Sequence, residues 1–256
     1  MVEPLTRAWR VLATGFAFAC FFLGGAIIAA IAFPLLALRR DGRTRRVQAL
    51  IRHVFRLYLL MLRGLGLISL TVVDGARLTA CRGRIIVANH PTLLDAVLLM
   101  ALTPRACCIV KHELWANRYL KGAVQAAGYI RNDLAPEETI LACRAVLDQG
   151  DNLIIFPEGT RTRIGQPARF QRGVANLALL TGAAIQLVVI TCVPLTLSKG
   201  EPWYRVPPRR PRFHLHVAHA MDIGRFLAYP HRGLGARRLI GELRDFYDGR
   251  LANGSS

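Results

Sequence analysis

Serine is scarce in this chain, and the motifs of several large enzyme classes are missing. The 256 residues include only four serines, and none of them lies in a G-x-S-x-G turn. The sequence also lacks a G-x-x-x-x-G-K-[ST] phosphate loop, a G-x-G-x-x-G turn and an H-E-x-x-H helix. These absences argue against a serine hydrolase, a P-loop nucleotide hydrolase, a Rossmann dehydrogenase and a zincin protease.

The six cysteines show neither a metal pattern nor a disulfide pattern. No two of them stand in a C-x-x-C spacing, so we interpret them as small apolar core residues in a reducing compartment. Three closely spaced histidines, His214, His216 and His219, form the other group that resembles a ligand set. We interpret them as polar residues on one face of an edge strand, so no metal site is predicted.

Acidic residues are few, and lysine is rarer still. Lysine and arginine together number 34 against 16 acidic residues, which gives a net charge of +18, and the only lysines are Lys111, Lys121 and Lys199. This excess predicts a polyanionic partner, either nucleic acid or an anionic membrane. Because no helix-turn-helix or RNP-like aromatic motif is present, and many basic residues lie beside an apolar segment, we expect the membrane and no nucleic acid.

The N-terminal region predicts a membrane segment. No charged residue interrupts the run from Val11 to Leu38, which as a helix at about 1.5 Å per residue exceeds the roughly 30 Å hydrocarbon core of a bilayer. Two interpretations stay open, a single span and a segment that dips into one leaflet and bends at Gly24-Gly25. Five arginines directly follow the run and two precede it, so the positive-inside rule predicts an inner-membrane protein whose remaining chain faces the cytoplasm.

The next segment, Arg45–Arg63, is an amphipathic helix by its periodicity. At 100° per residue, four arginines fall within about 40° of one another on this helix. They are Arg45, Arg52, Arg56 and Arg63. The helix either lies in the bilayer interface with these arginines on lipid phosphates or packs on a globular domain with a solvated arginine face, and the neighbouring membrane segment favours the interface.

From residue 67 onward, short β-rich runs alternate with helical segments, which predicts an α/β domain with a mostly parallel sheet and flanking helices. The predicted strands are 85–88, 106–110, 153–156 and 185–193, with an edge strand at 213–217. The predicted helices are 93–102, 114–127, 136–149, 174–180 and 236–251. The chain is thus divided into an N-terminal membrane segment (1–44), an amphipathic interfacial helix (45–66) and a larger domain (67–256).

One candidate site follows the first of these strands. His90 lies just past the strand, and Asp95 lies about one helical turn further along. An imidazole can take a proton from a hydroxyl, and a carboxylate within reach fixes its tautomer. The alternative interpretation is that Thr92 and Asp95 form a helix cap, with His90 as a bystander.

A second candidate site, Phe156–Arg161, follows the most apolar predicted strand, at the end where open α/β sheets bind ligands. Pro157 and Gly159 shape a turn that lets the backbone approach a ligand, and Arg161 offers a fork that matches a phosphate. Three further arginines follow within eleven residues. An anion site therefore explains this segment better than a solvated basic loop does.

Together the motifs resemble the four ordered blocks of the glycerolipid acyltransferase family, whose best-known members are 1-acylglycerol-3-phosphate acyltransferases. The matching blocks are Asn89–Asp95, Gly128–Arg131, Phe156–Arg161 and Val193-Pro194, within residues 71–197. The resemblance implies an acyltransferase domain in residues 67–256. It also implies transfer from an acyl thioester, of coenzyme A or of acyl carrier protein, to a lysophospholipid hydroxyl. The leading acceptor is 1-acylglycerol-3-phosphate, which would give phosphatidate.

The resemblance also implies roles for single residues. His90 is the general base and Asp95 orients it, while no metal and no cofactor beyond the acyl thioester is implied. The expected substrate-binding residues are Glu158, Gly159, Thr160 and Arg161, with Lys111, Arg131 and Arg172 as further anion-binding candidates. Gln171 stands where the family's Phe-Lys-x-Gly segment has lysine, so one positive contact is either missing or supplied by Arg172. Another acceptor, such as an ornithine lipid, and a non-catalytic anionic-lipid-binding protein remain the alternatives.

Overall fold

The computed structural model describes residues 4–37, 42–116, 121–162 and 170–253. Within these ranges the centre of the protein is a seven-stranded sheet. Its strands are β1 (Ser69–Val73), β2 (Ile85–Ala88), β3 (Ala106–Val110), β4 (Ile130–Arg131), β5 (Asn152–Ile155), β6 (Ile185–Val193) and β7 (Arg212–Met221). They lie in the order β1-β7-β6-β2-β5-β3-β4, and every neighbouring pair is parallel except β6 with β7. The predicted mostly parallel α/β fold is confirmed.

Helices surround this sheet. They are α1 (Pro4–Ala37), α2 (Arg43–Gly64), α3 (Ala76–Thr79), α4 (Asp95–Leu102), α5 (His112–Ala116), α6 (Lys121–Ala126), α7 (Pro136–Asp148), α8 (Gly173–Thr181), α9 (Gly224–Leu227) and α10 (Arg232–Asn253). The four residues of β2 are fully buried, because helices cover the centre of a parallel sheet on both faces. This burial explains why the strand appears in the sequence as an uninterrupted apolar run.

The sequence patterns correctly predicted the positions of most strands and helices in the domain. Three strands, β2, β3 and β6, have the predicted bounds, and β5 begins and ends one residue earlier than expected. The helix predicted over 114–127 is instead found as the two short helices α5 and α6, separated by residues outside the described ranges. The prediction of an edge strand at 213–217 is wrong, because β7 is longer and lies between β1 and β6. Its partner β1 lies 143 residues earlier in the chain, since Ser69 pairs with Arg212, and local periodicity does not report such a pairing.

The two N-terminal helices pack against each other and against the domain. The α2 helix buries Val47, Leu59 and Leu62, while Gln48 donates hydrogen bonds to the carbonyl of Ala127 and to the carboxylate of Asp151, both at 3.2 Å. The packed-helix interpretation of this segment is therefore correct for one of its faces. Three of the four aligned arginines, Arg45, Arg56 and Arg63, remain exposed on the helix.

The α1 helix contains the one candidate membrane span among the described residues, Arg7–Ala26. Part of it contacts α2, since Tyr58 donates a hydrogen bond to the carbonyl of Ala17 at 3.3 Å and the rings of Phe21 and Phe55 stack at 6.1 Å. Among the described side chains of α1, six large apolar ones are exposed, namely Trp9, Leu12, Phe16, Phe21, Phe22 and Leu23. The predicted end of the apolar run, Leu38, and the first two arginines after it lie outside the described residues.

A buried tyrosine of α10 holds the middle of the sheet. The hydroxyl of Tyr247 donates to the carbonyls of Val87 in β2 and Val188 in β6, at 2.7 and 3.2 Å. We expect Tyr247→Phe to lower the free energy of unfolding by about 1–2 kcal/mol, because the substitution removes a buried donor and keeps the ring. Denaturant unfolding in detergent measures this effect, with the exposed Tyr229→Phe as the matched control. Equal stability of the two variants would contradict the structural role given to this hydroxyl.

Candidate functional site

Both sequence motifs lie at the same edge of the sheet. Strands β2 and β5 are adjacent and parallel, with Ile86 opposite Ile154, so the loops that follow them start side by side. The imidazole of His90 stacks on the ring of Phe156, with centroids 4.0 Å apart and planes inclined by 19°. The structure therefore joins the His90–Asp95 loop and the Phe156–Arg161 loop into one site.

His90 and Asp95 form a hydrogen-bonded pair. The imidazole Nδ1 lies 2.8 Å from Oδ2 of Asp95, a residue that begins α4 and is completely buried. Thr92 also donates to this carboxylate, from its backbone N–H at 2.6 Å and from its hydroxyl at 2.7 Å. The carboxylate of Asp95 thus binds Thr92 and His90 together, so the histidine is not a bystander in this loop.

The pair sets the chemistry of the imidazole. Burial raises the pKa of the Asp95 carboxyl above its usual value, and the hydrogen bonds from His90 and Thr92 oppose that rise. A proton on Nδ1 that points to Asp95 leaves the lone pair on Nε2, which makes no hydrogen bond to the described residues. The imidazole is 17% exposed. It therefore meets the geometric requirements of a general base for a bound hydroxyl.

Glu158 ties the two loops together. Its Oε1 accepts the backbone N–H of His90 at 3.0 Å, and its Oε2 accepts the hydroxyl of Thr162 at 2.6 Å. The backbone N–H of Thr162 donates in turn to the carbonyl of His90 at 2.8 Å. Both carboxylate oxygens of this buried residue thus bind protein groups. In this structure the predicted substrate-binding glutamate positions the backbone of the histidine.

The turn after Glu158 requires glycine at its next position. Gly159 has φ +67°, and a Cβ built on it would lie 2.5 Å from Nε2 of Gln171. Beyond it, Nη1 of Arg161 donates to the carbonyls of Leu197 and Ser198 at 2.9 and 3.2 Å. The Arg161 guanidinium thus fastens the turn to the segment that follows β6. The same segment supplies a second cation, since Nζ of Lys199 donates to the hydroxyl of Thr160 at 2.8 Å.

The remaining anion-binding candidates lie apart from this turn in the chain. Lys111 follows β3 and is exposed, and Arg172 is exposed directly before α8. Arg131, at the end of β4, forms a two-pronged ion pair with Asp133 at 2.9 and 2.6 Å, so its charge is already partly balanced. Their contribution to binding remains a prediction.

Three residues of the site were not singled out by the sequence. Asn89 links β2 to β6, because its side chain exchanges two hydrogen bonds of 2.7 Å with the backbone of Ile190. Thr162 and Lys199 complete the turn, through the contacts with Glu158 and Thr160. The partners of Asn89 and of Lys199 are 101 and 39 residues away in the chain, and no local pattern signals such contacts.

The buried thiols of Cys108 and Cys192 are poor alternatives to the histidine as the reactive group. Burial raises the pKa of the thiols of Cys108 and Cys192 to about 12, so these two thiols stay protonated at neutral pH. Among the residues with described positions, no group of three or more His, Cys, Asp or Glu could hold a metal ion. The arrangement is suited to proton transfer at His90 beside a turn that carries the cations Arg161 and Lys199.

Comparison with known proteins gives consistent matches. Residues 70–196 match the family model described as Acyltransferase. Among curated relatives, the 1-acyl-sn-glycerol-3-phosphate acyltransferase of Helicobacter pylori is 34% identical over 133 residues, which cover 49% of this chain and 56% of the relative. The enzyme of the same name from Cocos nucifera is 30% identical over 142 residues, 53% of this chain and 46% of the relative. The chain thus spans about half the length of these relatives.

A human relative and a solved structure extend the match. The human 1-acyl-sn-glycerol-3-phosphate acyltransferase alpha is 28% identical over 190 residues, which cover 72% of this chain and 62% of the relative. The crystal structure of the 1-acyl-sn-glycerophosphate (LPA) acyltransferase PlsC from Thermotoga maritima superposes with a TM-score of 0.71 at 18% identity, and covers 98% of each chain. This likeness confirms the fold over nearly the whole chain.

The hydrogen bonds of Glu158 predict a measurable contribution to stability. We expect Glu158→Ala to lower the free energy of unfolding by about 1–3 kcal/mol, because it leaves the His90 N–H and the Thr162 hydroxyl without their acceptor. Glu158→Gln keeps one carbonyl oxygen and should lose less. The matched control is Asp248→Ala, at an exposed carboxylate of α10, with an expected change within about 0.5 kcal/mol. Denaturant unfolding that shows the same stability for Glu158→Ala and the control would contradict the positioning role.

Proposed function

Because this chain belongs to the acyltransferase family, as its ordered motifs predict, we propose that it transfers an acyl group from an acyl thioester to the hydroxyl of a lysophospholipid. The proposed acceptor is 1-acylglycerol-3-phosphate and the product is phosphatidate, in keeping with the names of the curated relatives. The observation that carries the proposal is the hydrogen-bonded His90–Asp95 pair beside the cationic turn at Arg161. The proposed donor is an acyl thioester of coenzyme A or of acyl carrier protein, with no further cofactor.

The proposed reaction is a direct displacement. Nε2 of His90 takes the proton of the acceptor hydroxyl as the hydroxyl oxygen attacks the thioester carbonyl, and Asp95 stabilises the imidazolium that forms. The new C–O ester bond replaces the C–S bond, and the imidazolium returns its proton to the departing thiolate. This course needs no acyl-enzyme, which agrees with the buried, protonated state of Cys108 and Cys192.

In the proposed complex, the Glu158–Arg161 turn orients the acceptor. A phosphate monoester bound near Arg161 would hold the rest of a lysophospholipid beside His90, because the two loops are fastened to each other through Glu158. Such positioning converts an encounter of two molecules into a reaction within one complex and lowers the barrier accordingly. Lys111, Arg131 and Arg172 are further proposed contacts for the anionic groups of the acceptor or the donor.

The proposed place of the reaction is the cytoplasmic face of the inner membrane. The exposed apolar side chains of α1 provide a surface for the hydrocarbon region, and the exposed Arg45, Arg56 and Arg63 of α2 would contact anionic lipid phosphates. The arginine excess after the apolar run favours the cytoplasmic side. An anionic membrane is thus the proposed partner of the N-terminal helices, and lipid is both surface and substrate.

The role of His90 is tested by one substitution. We expect His90→Ala to lower kcat for thioester consumption by about 10²–10⁴-fold, the usual contribution of a general base. The protein should remain folded and bound to membranes, because the imidazole is partly exposed. The matched control is His231→Ala, at an exposed histidine before α10. Release of thiol is followed on membranes that contain the wild type or each variant, and full activity of His90→Ala would contradict the mechanism.

The same thiol-release assay identifies the acyl donor and the acceptor. Acyl-coenzyme A and acyl carrier protein thioesters are each offered with lysophosphatidate and with other lysolipids, including an ornithine lipid precursor. Transfer to lysophosphatidate that is lost in His90→Ala supports the full proposal. Transfer only to another acceptor would keep the mechanism and replace the acceptor. A wild type that binds anionic vesicles and consumes no thioester would overturn the enzymatic proposal in favour of a lipid-docking protein.

A further inference from the structure

Lys199 is one of only three lysines in the chain, and it lies at the candidate site. It is part of the segment that connects β6 to β7 and is half-buried there. Its ammonium crosses to the Glu158–Arg161 turn, where it donates to the hydroxyl of Thr160 at 2.8 Å. The lysine therefore adds a positive charge to the turn from a different part of the chain.

The backbone on both sides of Lys199 is held in place. The carbonyls of Leu197 and Ser198 accept hydrogen bonds from Arg161. Leu197 also accepts the backbone N–H of Leu93 at 3.2 Å, and the buried hydroxyl of Ser198 donates to Glu201 at 2.6 Å. With its backbone fixed in this way, only the side-chain torsions of the lysine have to be ordered when its ammonium binds at the turn.

The two cations at this turn, Arg161 and Lys199, make their direct hydrogen bonds with uncharged groups. Within the described ranges, neither Lys199 nor Arg161 forms an ion pair with a carboxylate. The carboxylate of Glu158 uses both oxygens for protein donors. The carboxylate of Glu201 accepts from Ser198 and forms an ion pair with Arg205 at 3.8 Å. The sequence of residues 163–169 contains two arginines and no acidic residue. An ammonium has three donors, and the Thr160 hydroxyl accepts only one of them.

We propose that Lys199 and Arg161 together bind the phosphate of the acceptor, an inference that rests on the proposed function. A phosphate monoester carries about −1.5 to −2 charges at neutral pH, so two cations balance it better than one. Position 171 lies against the same turn, since Nε2 of Gln171 is 3.5 Å from the carbonyl of Glu158 and borders Gly159. That position is neutral in this chain, and Lys199 supplies the second charge instead.

The first test separates acceptor binding from catalysis. We expect Lys199→Gln to raise the KM for lysophosphatidate about tenfold or more, because a charge-assisted hydrogen bond to the phosphate is lost. The kcat and the KM of the thioester donor should each stay within about twofold of the wild type, because His90 is untouched. Lys199→Arg keeps the charge and should stay within about threefold. Lys121→Gln, at an exposed lysine of α6, is the matched control and should change neither KM.

A double variant that moves the positive charge from position 199 to position 171 tests whether the charge itself binds the acceptor. We expect Gln171→Lys, added to Lys199→Gln, to restore most of the affinity for lysophosphatidate, because the new ammonium would border the same Glu158–Gly159 backbone. A purely structural role of Lys199 in its loop would leave the double variant as impaired as Lys199→Gln. The inference is also overturned if Lys199→Gln leaves the acceptor KM unchanged, or raises only the KM of the donor.

A binding measurement keeps this inference separate from the proposed reaction. Titration calorimetry of the detergent-solubilised protein with sn-glycerol 3-phosphate measures headgroup affinity without turnover. We expect about tenfold weaker binding in Lys199→Gln than in the wild type and in Lys121→Gln. If the wild type consumes no thioester, the proposed function fails and calorimetry alone decides the phosphate site. Equal affinity in all three proteins overturns the role of Lys199.

Discussion

The site depends on the parallel pairing of β2 with β5, which makes two chain segments leave the sheet side by side. A strand that ends in the interior leaves backbone donors and acceptors that must find partners. Here side chains supply those partners, because Asn89 binds the backbone of Ile190 and Glu158 binds the N–H of His90. The segment that contains His90 is thus connected to β6 through Asn89 and to the loop after β5 through Glu158. A base held in this way needs little reorganisation to react.

The distribution of charge around the histidine follows from burial. In a chain of net charge +18, the two carboxylates nearest the histidine, Asp95 and Glu158, are both buried and accept hydrogen bonds from protein groups. The cations Arg161 and Lys199 lie further out and are only partly buried. An approaching phosphate therefore meets positive charge, while the negative charge that orients the imidazole is turned inward. This separation would let one small site hold the proposed anion and also stabilise an imidazolium.

Much of the fold was predictable because β2 is fully buried and β3, β5 and β6 are buried over most of their length. A strand covered on both faces is a continuous apolar run, and β2, β3 and β6 were located from such runs. The H-x4-D and F-P-E-G-T-R motifs were likewise visible, since each is local in sequence. The position of β7, the Asn89–Ile190 contact and the Lys199–Thr160 contact were not predictable, because each joins distant segments and depends on the order of strands in the sheet. Local periodicity shows which face of a helix or strand is buried, but it does not show which other strand or helix packs against that face.

The segment that carries Lys199 also connects the site to the N-terminal helix. A few residues further along, Trp203 packs on α1, where its ring lies 3.3 Å from the position of a Cβ on Gly15 and 6.0 Å from the ring of Phe18. The guanidinium of Arg10 donates to the carbonyl of Pro208 at 2.6 Å and fastens the same segment again. A lysophospholipid has one charged end and one apolar chain, so its binding site needs a cation next to apolar surface. For the proposed acceptor, a single connection between β6 and β7 would provide both. It places the ammonium of Lys199 at the turn and packs Trp203 against the apolar helix proposed to enter the membrane.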